Sequence, residues 1–79
     1  HEWWDGSGYP KGLKGDQIPL KARVISVAEA YDRMTGSYAY RQSLTKEEAK
    51  REILRCAGTQ FDPAIVARLL EIIDEERFV

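Results

Sequence analysis

Apolar residues recur with helical spacing along most of the chain, after a first stretch that has no periodicity. Between residues 19 and 34 they repeat at i, i+4 and i+7, with Pro19 where a first helical turn tolerates proline, and this predicts a first helix. One side of it holds Leu20, Val24, Val27, Ala28, Tyr31 and Met34. Another side holds Ala22, Ile25 and Glu29 and is also partly apolar, so partners are expected on two faces.

A capping signal predicts the second helix. Thr45 followed by Glu48 fits a capping box, in which each residue bonds the backbone of the other. The helix is expected over residues 46–57, with Gly58 placed to end it. Cys56 falls inside this helix and is interpreted as a small buried apolar residue.

A second signal, Asp62 followed by Pro63, is typical of an N-cap and first helical position. It predicts a third helix over residues 63–75 with a broad apolar stripe. The chain is therefore predicted to be all-α, with about three helices, over residues 19–34, 46–57 and 63–75.

The first eighteen residues, called the glycine-rich loop below, hold four of the six glycines and follow neither the helix nor the strand period. Such a segment is predicted to be a loop with fixed turns. Glycine at this density favours positive φ angles or a close approach of the backbone to another group.

Composition narrows the function. With 79 residues there is room for one small domain, and a net charge of −1 gives no basic footprint for DNA. The chain shows no apolar run near the roughly 20 residues of a membrane span and no signal-peptide pattern, so a cytoplasmic location is expected. A single cysteine excludes an internal disulfide and a thiolate metal site.

Three metal-competent side chains stand within the first five residues: His1, Glu2 and Asp5. They could form part of a site for a hard metal ion, or they could be solvated surface. Trp3 and Trp4, which lie between Glu2 and Asp5, could stack on a base or pack under the loop. Four basic residues nearby could attract phosphate, but their scattered placement is more typical of solubilising surface: Lys11, Lys14, Lys21 and Arg23.

Glu29 lies on the helix side made by Ala22 and Ile25, where a carboxylate is costly to bury unless it is paired or binds a metal. The alternative is that this side is exposed and Glu29 is solvated. Asp32 is one turn further on and could act with Glu29 across a ligand, or form a surface pair.

The run HEWWDGSGYP resembles the signature of HD-GYP domains, in which two histidines and a glutamate precede Asp-Gly-x-Gly-Tyr-Pro by two residues. His1 aligns with the second histidine and Glu2 with the glutamate. Further on, GLKGDQIPLKARVISVAEAYDRMT is similar to the helix that follows the loop in this family, and AGTQFDPAIV to its closing motif. The resemblance covers nearly the whole chain.

The resemblance implies an all-helical HD-domain bundle around two or three divalent ions, iron or manganese. It implies hydrolysis of cyclic di-GMP and, in some members, of related cyclic dinucleotides, with metal ions that polarise the phosphate and activate water. The chain is expected to be the C-terminal portion of a single such domain, with the loop at residues 1–18 and a helical part at 19–79.

Site roles follow from the resemblance, position by position. His1 and Glu29 resemble metal ligands of the family. At the position of Glu29 the family usually has Asp. Asp32 resembles a catalytic acid near the scissile phosphate. The positions that resemble substrate-binding residues are Asp5, Gly8, Tyr9, Pro10, Tyr38 and Arg41.

Three departures from the family pattern bear on activity. The extra methylene of Glu29 moves its oxygens by roughly 1.5 Å. Tyr38 stands where the family has an arginine, and loss of such a charged contact costs about 1.5–3 kcal/mol. The paired His-Asp of the family is not in this chain, so these 79 residues alone are expected to be inactive and to hold no metal properly.

The leading hypothesis is thus a part of a cyclic di-GMP phosphodiesterase. Glu29 and Tyr38 motivate an alternative, a non-catalytic signalling module that binds protein partners, such as diguanylate cyclase (GGDEF) domains, through the glycine-rich loop. A third interpretation is a three-helix packing domain, in which an exposed Ile25 and its neighbours predict self-association into a homo-oligomer.

Overall fold

The computed structural model describes residues 2–36 and 42–75 and contains three α-helices. They are α1 (Leu20–Thr35), α2 (Lys46–Arg55) and α3 (Pro63–Glu75), and a single 3-10 turn, Gly15–Gln17, precedes α1. In these two ranges there is no strand, only isolated bridges between Asp5 and Lys14 and between Ala57 and Phe61. The prediction of an all-α chain with three helices is confirmed.

The helix bounds differ from the prediction at three ends, one of which is the end of α1 at Thr35 instead of residue 34. Helix α1 begins one residue late because Pro19, with ψ 140°, is the N-cap and not yet helical. Helix α2 ends at Arg55, two residues early, because the backbone turns at Cys56, with φ −91° and ψ 0°. The Cys56 carbonyl oxygen then accepts from the N–H groups of Thr59, Gln60 and Phe61. The turn that joins α2 to α3 therefore occupies residues 56–61.

Both predicted caps are present. The Glu48 N–H donates to Thr45 Oγ1 at 3.1 Å, and the Thr45 N–H donates to Glu48 Oε1 at 2.8 Å, which completes the capping box of α2. At the start of α3 the Ala64 N–H donates to Asp62 Oδ1 at 2.9 Å. These bonds satisfy N–H groups that a helix start leaves without an intrahelical partner.

The core lies where the three helices meet the turn 56–61. Its buried members come from all of them, and each is at most 2% exposed: Val27, Ala30, Ile53, Phe61 and Val66. Tyr31, Met34 and the half-buried Cys56 pack against it. The core therefore includes the second half of α1, and α2 and α3 cover this part of the helix.

The first half of α1 carries apolar side chains that this core does not cover. Leu20 is 59% exposed and Val24 44%, although the periodicity assigned both to the packed side. On the other side, Ala22, Ile25 and Glu29 are exposed as well. None of the helices in the described part of the chain is long and apolar enough to cross a membrane.

Candidate functional site

The glycine-rich loop is tied at its first arm to the turn between α2 and α3. The Trp4 N–H donates to the Gln60 carbonyl oxygen at 3.0 Å, and the Asp5 N–H donates to the Thr59 carbonyl oxygen at 2.9 Å. On its other edge the same arm receives the Gly15 N–H, which donates to the Trp4 carbonyl oxygen at 2.9 Å. The loop is therefore held by backbone hydrogen bonds on both edges.

One glycine is required for the tight approach of the two arms. Gly6 has a φ of +88°, and a Cβ added there would lie 3.3 Å from the Cβ of Lys14. A side chain at this position would be strained by the backbone angle and crowded by Lys14. This supports the expectation that the glycine-rich sequence builds fixed turns.

Glu2 braces the loop from within. Its carboxylate accepts hydrogen bonds from the N–H of Lys11 at 2.8 Å and from the N–H of Leu13 at 2.9 Å. The Lys11 bond is the main reason that the pKa of the Glu2 carboxyl lies below its ordinary value. A carboxylate that was a candidate metal ligand in the sequence thus has its two oxygens engaged by the backbone of the loop.

Asp5 also organises its own surroundings. Its Oδ1 accepts from the Ser7 N–H at 2.9 Å and from the Ser7 hydroxyl at 2.6 Å, forming a local turn. The Ser7 hydroxyl is the main cause of a pKa of Asp5 below the ordinary range. These contacts give Asp5 a structural role; its role in binding substrate stays a prediction.

The other loop residues of the predicted substrate site lie at the exposed tip. Tyr9 is 78% exposed, Pro10 is exposed, and the peptide bond between them is cis. Gly8 beside them is half-buried. The tip therefore presents an aromatic ring and peptide groups to the outside, above a base that is held in place.

Glu29 lines a cleft of about 180 Å³ between α1, the loop and the turn 56–61. The lining residues are Trp3, Ser26, Glu29, Arg33 and Gln60. Among the described residues, the Glu29 carboxylate makes no hydrogen bond and no ion pair. Trp3 is 38% exposed here, so it is neither buried under the loop nor fully solvated. Trp3, which is two residues after His1, therefore lies beside Glu29 in this cleft.

The donors in this cleft fit part of a metal site. The carboxylate of Glu29 is a hard ligand with no competing partner in the described ranges, as a divalent ion would need. Within residues 2–36 and 42–75 no three His, Cys, Asp or Glu side chains come together as a complete site. Asp32 is exposed one turn after Glu29 and does not line the cleft. His1, Tyr38 and Arg41 lie outside the described residues.

Arg23 is the residue of this region that the sequence interpretation missed. The sequence groups Arg23 with three lysines as solubilising surface, but in the structure its side chain is only 17% exposed. Its Nη1 bonds Asp62 Oδ2 at 2.7 Å, and its Nε donates to the Ile18 carbonyl oxygen at 2.9 Å. The periodicity of α1 does place Arg23 on the packed side, one turn before Val27. Its partner Asp62, however, is 39 residues away, and helix periodicity does not predict such a contact.

The Glu2 brace predicts a pH dependence of the loop. Because the pKa of Glu2 is lowered on folding, its contribution is complete above the ordinary value of 4.5 and is lost as the pH falls through the lower folded value. The amide chemical shifts of Lys11 and Leu13, followed by NMR, are expected to hold steady above the ordinary value of 4.5 and to move together as the pH falls below it. Glu2→Gln, which does not titrate, is the control; a shift of equal size in that variant would contradict the brace.

Comparison with known proteins identifies the family. A family model described as "HD domain" matches residues 1–65, so the chain belongs to the HD domain family. The HD domain is a metal-dependent phosphohydrolase fold, and divalent metal use is a property of the family. The resemblance to HD-GYP domains is confirmed by the relatives that match over nearly the whole chain.

These relatives are much longer than this chain. A "Probable cyclic di-GMP phosphodiesterase" of Vibrio cholerae is 47% identical over 79 residues, which are 100% of this chain and 18% of that protein. A "Cyclic di-GMP phosphodiesterase" of Thermotoga maritima is 40% identical over 95% of this chain and 20% of its own length. The crystal structure of a cyclic GMP-AMP specific phosphodiesterase of V. cholerae superposes with a TM-score of 0.82 at 32% identity, over 98% of this chain and 17% of that one. The chain spans about a fifth of the length of these relatives.

Proposed function

We propose that this chain supplies the substrate loop and part of the metal site of a phosphodiesterase that hydrolyses cyclic di-GMP. The observation that carries this is the Glu29 carboxylate, without a partner among the described residues, in a cleft shared with Trp3 of a loop whose shape is held by Glu2. Relatives that match 95–100% of the chain and bear the names of cyclic di-GMP phosphodiesterases support the substrate. The chain is, in this proposal, the C-terminal portion of one HD-GYP domain, and the cytoplasm is its compartment.

The metal ligands that we propose from this chain are His1 and Glu29. In the complete domain they would serve two or three iron or manganese ions, together with ligands from outside these 79 residues. Bound there, such ions supply positive charge that polarises the phosphate and lowers the pKa of an attacking water. The part of this chain is to hold a hard anionic ligand at the wall of the cleft, where α1 fixes its position.

Asp32 is the residue that we assign to proton transfer. Hydrolysis adds water to one phosphorus atom and breaks a P–O bond, and the leaving sugar oxygen must gain a proton. Asp32 is exposed and lies one turn after Glu29 on the same helix, so it can reach a substrate bound across α1. In this role the Asp32 side chain delivers that proton to the leaving oxygen.

Substrate contacts are assigned to the loop and to the segment after α1. The exposed tip offers the Tyr9 ring and the peptide groups of Gly8 and Pro10 to a base or a sugar edge, with Asp5 shaping the turn before them. Arg41 would contribute a charge to a phosphate and Tyr38 a hydrogen bond in place of the family's arginine. The shape of the tip thus sets where the dinucleotide lies.

A second candidate function is contact with a protein partner, such as a diguanylate cyclase (GGDEF) domain. The observation in its favour is the 78% exposure of Tyr9 at the tip, since exposed tyrosine is enriched at protein interfaces. The two functions make different demands on Glu29. Only the phosphodiesterase needs it as a ligand.

The decisive experiment is hydrolysis of cyclic di-GMP by the longer protein that contains this chain, loaded anaerobically with Fe(II) or Mn(II). The expected result is metal-dependent conversion to linear dinucleotide, while the 79-residue chain alone gives none. A folded, metal-loaded protein that cleaves neither cyclic di-GMP nor 3'3'-cGAMP would refute the enzyme and leave the partner-binding function.

A further inference from the structure

We propose that Arg23 and Asp62 form a pair of positioning residues that aims the glycine-rich loop at its substrate, a role that rests on the proposed phosphodiesterase function. Neither residue belongs to the predicted site. Both are withdrawn from solvent, with side chains 17% and 5% exposed, and they join the start of α1 to the start of α3. Their contacts run through the base of the loop and not through its tip.

Arg23 brings the two ends of the loop together. At the end of the loop its Nε donates to the Ile18 carbonyl oxygen at 2.9 Å. At the beginning of the loop the Trp4 ring lies against the guanidinium, with 6.0 Å between Cζ and the ring centroid. A planar guanidinium can serve a carbonyl, a carboxylate and an aromatic face at once, which an ammonium group cannot do. One side chain therefore closes the loop at residues 4 and 18.

Asp62 connects this closure to the rest of the fold. Its Oδ2 holds Arg23 Nη1 at 2.7 Å, while its Oδ1 accepts the Ala64 N–H at the start of α3. The carboxylate is buried, and such a charge is retained only with partners of this kind. The residues just before it, Thr59 and Gln60, hold the first arm of the loop through their carbonyl oxygens. The base of the loop is thus attached to α1 and to the α3 cap at neighbouring points.

The same pair sets the position of the loop relative to Glu29. Arg23 and Glu29 are six residues apart on α1, less than two helical turns. The loop tip is expected to bind the dinucleotide, and α1 carries the metal-ligating carboxylate, so the Arg23 contact joins the two parts of the site. When this contact is lost, we expect the loop to shift while Glu29 stays on its helix. Substrate binding should suffer more than metal binding.

Asp62→Asn separates the contact from the cap. Asparagine is as good an N-cap as aspartate, so its oxygen can keep the Ala64 bond, but its amide then presents a donor to the donor on Arg23. In the metal-loaded longer protein we expect the KM for cyclic di-GMP to rise about tenfold, with kcat and the metal content per protein nearly unchanged. Thr45→Ala, which removes the cap of α2 away from the loop, is the matched control and should leave KM unchanged.

Arg23→Lys provides a second arm. Lysine keeps a positive charge for Asp62 but cannot also hold the Ile18 carbonyl oxygen and the Trp4 ring, the two contacts that close the loop, so a KM at least as high as that of Asp62→Asn is expected. A KM at the wild-type value in both Asp62→Asn and Arg23→Lys would overturn the proposal. Equal losses in Asp62→Asn and Thr45→Ala would do so too, since the effect would then follow from stability alone.

Amide hydrogen exchange separates failure of this proposal from failure of the proposed function. The N–H groups of Lys11, Leu13 and Gly15 are bonded within the loop, and their exchange should quicken in Asp62→Asn and not in Thr45→Ala. If the wild-type protein shows no turnover but this pattern appears, the pair positions the loop and the phosphodiesterase function is wrong. Unchanged exchange at all three amides overturns the positioning role whatever the enzyme does.

Discussion

Replacing Glu29 by glutamine is expected to lower the rate of cyclic di-GMP hydrolysis by the metal-loaded longer protein by about a hundredfold or more. A neutral amide oxygen is a much poorer ligand for a hard divalent ion than a carboxylate. The Glu29 carboxylate makes no hydrogen bond or ion pair within the described ranges, and the side chain is exposed, so the substitution should leave the packing of α1 intact. The measurements are the initial rate of linear product formation and the metal content of the purified protein.

Glu29→Asp is the matched variant for this experiment. It restores the residue that is usual in the family, keeps the charge and shortens the side chain by one methylene, so most of the activity and metal should be retained. Glu47→Gln, an exposed carboxylate on α2, controls for the loss of a surface charge. Wild-type rate and metal content in Glu29→Gln would remove Glu29 from the ligand set.

Ile53→Ala is expected to lower the free energy of unfolding of this chain by about 2–5 kcal/mol. Ile53 is 0% exposed and touches the core where all three helices meet, so truncation removes buried methyl groups and leaves a cavity. A domain of this size has a total stability of about 5 kcal/mol or a little more, so a loss at the upper end of this range would leave about half of the variant unfolded in buffer. Urea denaturation followed by far-UV circular dichroism measures the change.

The neighbouring residue supplies the control for the core. Leu54 is on the same helix, has the same side-chain size and is 59% exposed. Leu54→Ala should therefore change the free energy of unfolding by no more than about 0.5 kcal/mol. Equal destabilisation by the two substitutions would mean that α2 packs with a different face from the one described.

The helices could be predicted because their signals are local. Two of these signals each lie within four residues: the capping box of Thr45 and Glu48, and the helix start at Asp62–Pro63. Both are present in the structure. The packed side of α1 was harder, since periodicity gives a direction around a helix but not how far along it the partners reach. Leu20 is exposed for that reason, and Ala30, which periodicity did not select, is in the core.

The candidate site was predictable only where a motif carries it. The signature residues led to the loop and the likeness of α1 to the family's helix led to Glu29, which the structure places in a cleft beside Trp3; the roles of these residues stay predictions. The use of Glu2 as a brace could not be foreseen, because its partners are backbone N–H groups, which every residue but proline has. Arg23 looked like any surface cation, because the pattern of a helix does not show whether a charged end meets water or a distant carboxylate.

The attachment of the glycine-rich loop to the turn 56–61 has a consequence for how the chain acquires its shape during synthesis. The loop is synthesised before this turn, yet Trp4 and Asp5 find their backbone partners only at Gln60 and Thr59, more than fifty residues later. Contacts of such sequence separation form after the local helices, since the entropy of closing the intervening chain must be overcome. A ribosome-bound chain stalled before residue 59 would therefore contain all residues of the Gly-Tyr-Pro signature, but its loop would lack the hydrogen bonds to the turn 56–61.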